Sequence, residues 1–124
     1  MTYYEKALEF TGVPYKSGGI DKNGVDCSGL VNAATGQTKR VWNTEDSTPP
    51  PGHTEIKIKS EQIDGFVKSL KKGDVLLWKG HVAFYDSGTR LFHARKTGTN
   101  VGFTNDLKLY WLKEKGFPKV YRQN

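Results

Sequence analysis

A single cysteine, Cys27, rules out an internal disulfide in this 124-residue chain. A chain of that length does not need one, because it can bury enough apolar surface to fold on its core alone. No run approaches the roughly 18 consecutive apolar residues of a membrane-spanning helix. The opening MTYYEKALEF carries Glu5, Lys6 and Glu9 where a secretory leader would have its apolar core, so no signal peptide is expected. Internal repeats and blocks of like charge are absent. Arginine is scarce and the aromatics are not interleaved with a basic stripe, which argues against nucleic acid as a partner. A single domain over residues 1–124 follows from the length.

What is present in excess is positive charge. Nineteen Lys and Arg against thirteen Asp and Glu give a formal net charge of +6 and a pI near 9.4. Such a balance suits acidic partners, whether nucleic acid, an anionic membrane surface or an anionic polymer such as a bacterial wall. It is also what a solvated surface with a mild basic bias looks like.

Along the chain, residues 2–11 read as a short helix with Thr2 and Glu5 as a capping box and Gly12 as its stop. GVPYKSGGIDKNGVD packs four glycines and a proline into fifteen residues and reads as loop. From Cys27 to Ala34 the small apolar residues suit a buried helix, N-capped by Asp26 and ended by Gly36. Residues 35–59, with three consecutive prolines, read as a surface loop that leaves His53 exposed. SEQIDGFVKSLKK reads as an amphipathic helix with Ser60 as N-cap. After Gly73, DVLLWKG, HVAFYDSG and RLFHAR read as strands, with NVGFTNDL and KVYRQN as further strands. LKLYWLKEKG is a helical turn or a long connection. Helices first and an antiparallel sheet afterwards make the class α+β.

The chemistry gathers around GVDCSGLVNAA. A nucleophilic thiol needs a lowered pKa, and a helix N-terminus offers positive potential and free amides. Ser28 and Gly29 are small enough to let a carbonyl approach, and the Cys27 amide can donate to an oxyanion. If HVAFYDSG and RLFHAR pair around Asp86-Ser87-Gly88, His81 and His93 stand nearly opposite each other and face the same way. The spacing therefore permits a Cys–His–His constellation. The same residues also permit an inert buried thiol beside two core histidines. They permit a three-ligand zinc site as well, although no closely spaced pair exists to nucleate one, so neither metal nor cofactor is expected. Trp42, Trp78 and Trp111 read as core or rim aromatics, and Gly73-Asp74 as a turn before a strand.

GVPYKSGGIDKNGVDCSGLV resembles the N-terminal signature of the NlpC-type cell-wall peptidases, which are papain-like cysteine hydrolases. The matching residues are Gly12, Pro14, Tyr15, Gly19, Gly24 and the run from Asp26 to Val31. LKKGDVLLWKGHVAFY resembles the family's second block and RLFHA its third, so the likeness runs from about residue 5 to residue 105. It implies a papain-like α+β fold, with N-terminal helices packed on a central antiparallel sheet. It implies Cys27 as nucleophile, His81 as general base, His93 as the residue that orients His81, and Tyr15 as an oxyanion donor. Asp26 and Ser28 would bind a free amine or another polar group of the substrate. Asp26 reads equally as a plain N-cap, Ser28 as a small helix-start residue and Tyr15 as a core aromatic.

The implied substrates are peptidoglycan stem peptides, cut between D-glutamate and a diamino acid. The implied setting is the bacterial wall, periplasm or exterior, with a monomer expected. Without a leader or an accessory wall-binding module, the chain fits an antibacterial effector, paired with an immunity protein or inhibitor, or a lysin. The segment 37–59 would rim the cleft and set specificity, or cover it. A transamidase on the same scaffold and a non-catalytic wall- or nucleic-acid-binding module are the alternative functions.

Overall fold

In a computed structural model that describes all 124 residues, Thr2 and Glu5 close a full capping box on the first helix, α1 (Tyr3–Leu8). The Thr2 hydroxyl accepts from the Glu5 amide at 3.0 Å, and the Glu5 carboxylate accepts from the Thr2 amide at 2.8 Å. Gly12 turns the chain with φ of 87°, a backbone region that glycine enters without steric cost. The expected loop that follows contains a small antiparallel hairpin, β1 (Ile20–Asp21) and β2 (Gly24–Val25). Two-residue strands leave no alternating pattern to read.

Helix α2 (Cys27–Ala34) begins where Asp26 caps it, the carboxylate accepting from the Gly29 amide at 2.7 Å. Gly29 serves close packing rather than substrate access: a Cβ there would stand 1.9 Å from the Gly19 carbonyl oxygen. The segment after α2 is less superficial than expected. The Asn32 side chain ties it down, accepting from the Val41 and Trp42 amides and donating to the Trp42 carbonyl. Trp42 is buried, and β3 (His53–Ile56) starts within the stretch expected to be loop. Its partner strand lies some seventy positions later, so nothing local announces it.

Helix α3 (Ile63–Lys68) is shorter than expected, and Gln62 rather than Ser60 occupies the cap position. Ser60 lies two residues too early; its hydroxyl accepts from the Gln62 amide at 3.2 Å and closes a turn instead. The remaining strands are β4 (Val75–Trp78), β5 (His81–Ser87), β6 (Arg90–His93), β7 (Gly102–Thr104) and β8 (Lys119–Gln123). A π-helix, Leu107–Lys115, fills the stretch expected to be a helical turn or a connection. The strands form one antiparallel sheet in the order β3-β8-β4-β5-β6-β7.

Alternation along the strands gives the sheet two apolar faces. Val75, Leu77, Val82, Phe84 and Phe92 pack with Tyr4, Ala7, Leu30 and Val31, so α1 and α2 cover one face. Leu76, Trp78, Ala83, Tyr85 and Leu91 pack with Phe66, Val67, Leu107 and Trp111, so α3 and the π-helix cover the other. The N-terminal helices do pack on a central antiparallel sheet, as the α+β reading expected. Asp74 does more than mark a turn. It is buried and grips Arg122 of β8 with both carboxylate oxygens, at 2.8 and 2.7 Å, tying the C-terminal strand to the start of β4.

Candidate active site

Cys27 occupies the first turn of α2, half-buried, at the beginning of β5. Burial pushes its thiol up from the ordinary value, and the Asp26 carboxylate adds to this. The backbone N–H groups of Val82, Ser28 and Cys27 itself pull the other way without reversing it. The expectation of a lowered thiol pKa is therefore corrected: the helix terminus is present, but desolvation outweighs it. The Val82 amide places the sulfur one residue along the chain from His81.

His81 and His93 share a face and meet through their rings, His81 Nε2 to His93 Nδ1 at 2.8 Å. They are not directly opposite. Phe84 pairs with Phe92 and Tyr85 with Leu91, and continuing that register sets His93 against Ala83, two residues from His81. The turn falls at Gly88-Thr89 rather than around Asp86-Ser87-Gly88, which moves the pairing along the strand, and the bulge at Asp86 shifts it back by one residue and so keeps His93 on the face of His81. Asp86 is buried at that bulge, where it accepts from the Tyr4 hydroxyl at 2.6 Å and binds α1 to the hairpin.

The side chain over the two histidines is Trp111. It is 7 % exposed, and its ring stacks on His81 with centroids 4.6 Å apart and planes 15° apart. It meets His93 edge-on and Trp78 at a tilt. Trp111 is thus a core aromatic that also forms one wall of the imidazole site. No local pattern marked it, since it sits in a π-helix whose pitch matches neither helical nor strand periodicity.

Tyr15 lies beside the thiol. It bridges Val25, its amide donates to the Thr99 carbonyl at 2.9 Å, and its hydroxyl makes no hydrogen bond. Burial raises its pKa, as do the neighbouring Cys27 and Asp26. Asp26 and Ser28 both answer to Arg40, which sequence reasoning missed. One guanidinium nitrogen donates to Ser28 Oγ at 2.5 Å and the other to Asp26 Oδ1 at 2.9 Å. Asp26 Oδ2 also accepts from the Gly18 amide at 2.8 Å. Arg40 lies twelve positions after Ser28, past the end of α2 in irregular chain, so no periodicity could have paired them.

His53 stays out of the site. Contrary to the expected exposure it is buried, its Nδ1 2.8 Å from the Pro51 carbonyl and its ring stacked on Tyr3. Pro51 and Gly52 turn the chain, the His53 amide donating to the Pro50 carbonyl at 3.1 Å, and His53 begins β3.

All three histidines are held neutral. Burial is the main cause at each; His81 is also depressed by His93 and Arg95, and His93 by Arg95, with Asp106 opposing in both cases. A folded-state pKa below the unfolded value of about 6.5 means that the unfolded chain takes up protons first as the pH falls. Stability is therefore expected to be full above about pH 6.5. Below it, stability declines by up to about 1.4 kcal/mol per pH unit for each histidine that must charge. Urea midpoints measured at pH 7 and pH 5 check this, and equal midpoints would contradict it.

A family model for NlpC/P60 matches residues 12–116. Over 97 residues the chain is 35% identical to a dipeptidyl-peptidase 6 of Lysinibacillus sphaericus, a match covering 78% of this chain and 33% of that protein. Over 107 residues it is 28% identical to a probable endopeptidase NlpC homolog of Haemophilus influenzae, covering 85% of this chain and 54% of that protein. The chain thus spans between a third and about half the length of these relatives. Among solved structures, the NlpC/p60 domain of the peptidoglycan hydrolase SagA superposes with a TM-score of 0.63 at 25% identity, over 99% of this chain and 97% of that one. An NlpC/P60 family protein of Bacillus cereus shares the fold with a TM-score of 0.67 at 19% identity, over 97% of this chain and 40% of that one. The matched span holds Tyr15, Cys27 and the two hydrogen-bonded histidines on one scaffold, and the chain belongs to the NlpC/P60 family.

Proposed function

We propose that the chain is a cysteine hydrolase of peptidoglycan stem peptides, acting on the amide between D-glutamate and a diamino acid. The observation that carries this reading is the lone thiol at the α2 terminus beside the residue that follows His81, while His81 Nε2 is engaged by His93. That engagement leaves His81 Nδ1 to serve the thiol.

In this mechanism Cys27 Sγ attacks the scissile carbonyl carbon as His81 Nδ1 takes the thiol proton. The oxyanion accepts from the Cys27 amide and the Tyr15 hydroxyl. The C–N bond then breaks, His81 returns the proton to the leaving amine, and a thioester remains on Cys27. A water, deprotonated by His81, attacks the thioester carbon; the carboxylic acid leaves and the thiol is restored. With the thiol raised and the ring depressed, the resting pair is neutral, so the proton moves as the C–S bond forms. Alkylation of Cys27 should accordingly be slow at pH 6 and accelerate with rising pH.

The net charge of +6 suits carboxylate-rich stem peptides. Digestion of purified peptidoglycan and isolated muropeptides, read by mass spectrometry, tests the reading. Fragments ending in D-glutamate support it, and no new fragments from any wall type would sink it.

Arg40 refines the part of Asp26 and Ser28. Its guanidinium neutralises Asp26 and holds Ser28 Oγ, so the subsite they line favours an acylated stem-peptide terminus over a free ammonium. Arg40→Ala, which uncovers the Asp26 charge, is expected to shift the kcat/KM ratio toward free-amine peptides about tenfold, the equivalent of ~1.4 kcal/mol. Matched N-acylated and free stem peptides measure it, and an unchanged ratio would count against the assignment.

A further inference from the structure

The hydrogen bonds do not stop at His93. His93 Nε2 lies 2.9 Å from Thr104 Oγ1, at the end of β7, and the Thr104 hydroxyl donates to Asp106 Oδ1 at 2.7 Å. Asp106 Oδ2 is bound by the Arg95 guanidinium. Arg95 is itself held over the rings of Tyr110 and Trp111, 5.6 Å from each centroid. A continuous chain therefore runs from His81 through His93 and Thr104 to an arginine-paired carboxylate.

Only one direction of donation fits this chain. A neutral imidazole has one donor and one acceptor nitrogen, a hydroxyl has one proton, and an ionised carboxylate only accepts. Asp106 is ionised: burial works against its charge, but the hydrogen bonds from Thr104 and Arg95 and the Arg95 charge more than offset this and hold its pKa low. The Thr104 proton must therefore point at Asp106, which leaves the Thr104 lone pairs for His93 Nε2–H. His93 Nδ1 is then an acceptor and takes the proton on His81 Nε2. His81 Nδ1 is left bare, which is the state a general base for Cys27 requires. The reverse order would aim a Thr104 lone pair at the carboxylate across 2.7 Å.

We propose that Thr104 and Asp106 are positioning residues which, acting through His93, fix His81 in its Nε2–H tautomer. This rests on the Cys27–His81 reading for its catalytic consequence but not for its geometry. When His81 takes the thiol proton, its charge is balanced along the same chain without any further proton transfer. The titratable and charged groups around the pair are His93, Arg95 and Asp106, with Tyr15, Asp26 and Arg40 on the thiol side.

The experiment joins two readouts on the full chain. Long-range proton–nitrogen correlation of labelled histidine at pH 7.5 reports the tautomers. Iodoacetamide alkylation, followed by intact mass from pH 6 to pH 9, reports the single thiol. Wild type and Thr104→Ser are expected to show both rings as Nε2–H and to alkylate within about twofold of each other. Thr104→Val removes the acceptor for His93, and Asp106→Asn lets the amide donate and the chain reverse. Both are expected to move His81 toward the Nδ1–H form and to slow alkylation at least about tenfold, a part of the ~10²–10⁴-fold attributed to general-base assistance. Unchanged tautomers in both variants would overturn the proposal, and Asp106→Asn decides the matter if Thr104→Val does not fold. If His81→Ala alkylates like wild type, the Cys27–His81 reading falls, while the tautomers still judge the relay.

Discussion

Cys27→Ala is expected to abolish release of soluble fragments from peptidoglycan, with kcat/KM at least about a thousandfold lower, while the fold stays intact. The size follows from the chemistry: alanine leaves no atom to form the thioester, and residual catalysis can come only from binding and the oxyanion donors. His81→Ala should fall by a similar factor, because on the proposed mechanism a neutral thiol with a raised pKa loses the group that accepts its proton. The double variant should be scarcely worse than either single one, since nucleophile and base act as one unit. His93→Ala should lose less, since on the proposed mechanism it orients the base without touching substrate. Thermal melts run beside the digests separate loss of chemistry from loss of structure. A Cys27→Ala protein that still cuts the wall would remove the proposed mechanism. A His81→Ala protein that retains activity would assign the base to another group.

How much of this was legible in the chain depended on how local each signal was. The capping box at Thr2 and Glu5, the Asp26 cap and the small-residue run to Ala34 lie within a turn of the groups they serve, and the helices form there. The turns at Lys79-Gly80 and Gly88-Thr89 separate strands that pair with their chain neighbours, and although the second falls later than Asp86-Ser87-Gly88, the hairpin carrying both histidines could be read. Its register could not, because Asp86 and Ser87 belong to β5 rather than to the turn, so a count centred on residue 87 starts from the wrong place. The Thr54–Arg122 pairing and the Arg40–Ser28 contact depend on residues far apart or separated by irregular chain. The thiol pKa failed for a different reason. A helix N-terminus can be read from sequence, but the burial that opposes it is a property of the assembled fold.

The same limit hid Trp111, which is where the second large effect is expected. Trp111→Ala should destabilise the protein by about 3–5 kcal/mol, the usual cost of emptying a buried tryptophan site. That is a large share of the ~5–15 kcal/mol available to a domain. It should also lower kcat about a hundredfold in the protein that remains folded, because the His81 ring loses the wall against which it lies 4.6 Å away. Trp111→Phe separates the two effects. Phenylalanine keeps an aromatic face against His81 and Trp78, and it removes the indole N–H, which is buried without a partner. Relief of that unpaired donor, worth ~1–3 kcal/mol, works against the smaller cavity left by the ring change. Stability should therefore stay close to wild type, and most of the activity should remain. Urea unfolding and single-turnover rates on a defined stem peptide measure both quantities. If Trp111→Ala kept a wild-type rate at temperatures where it is folded, Trp111 would be only a core residue, and the histidine chain would hold its own geometry through Thr104 and Asp106.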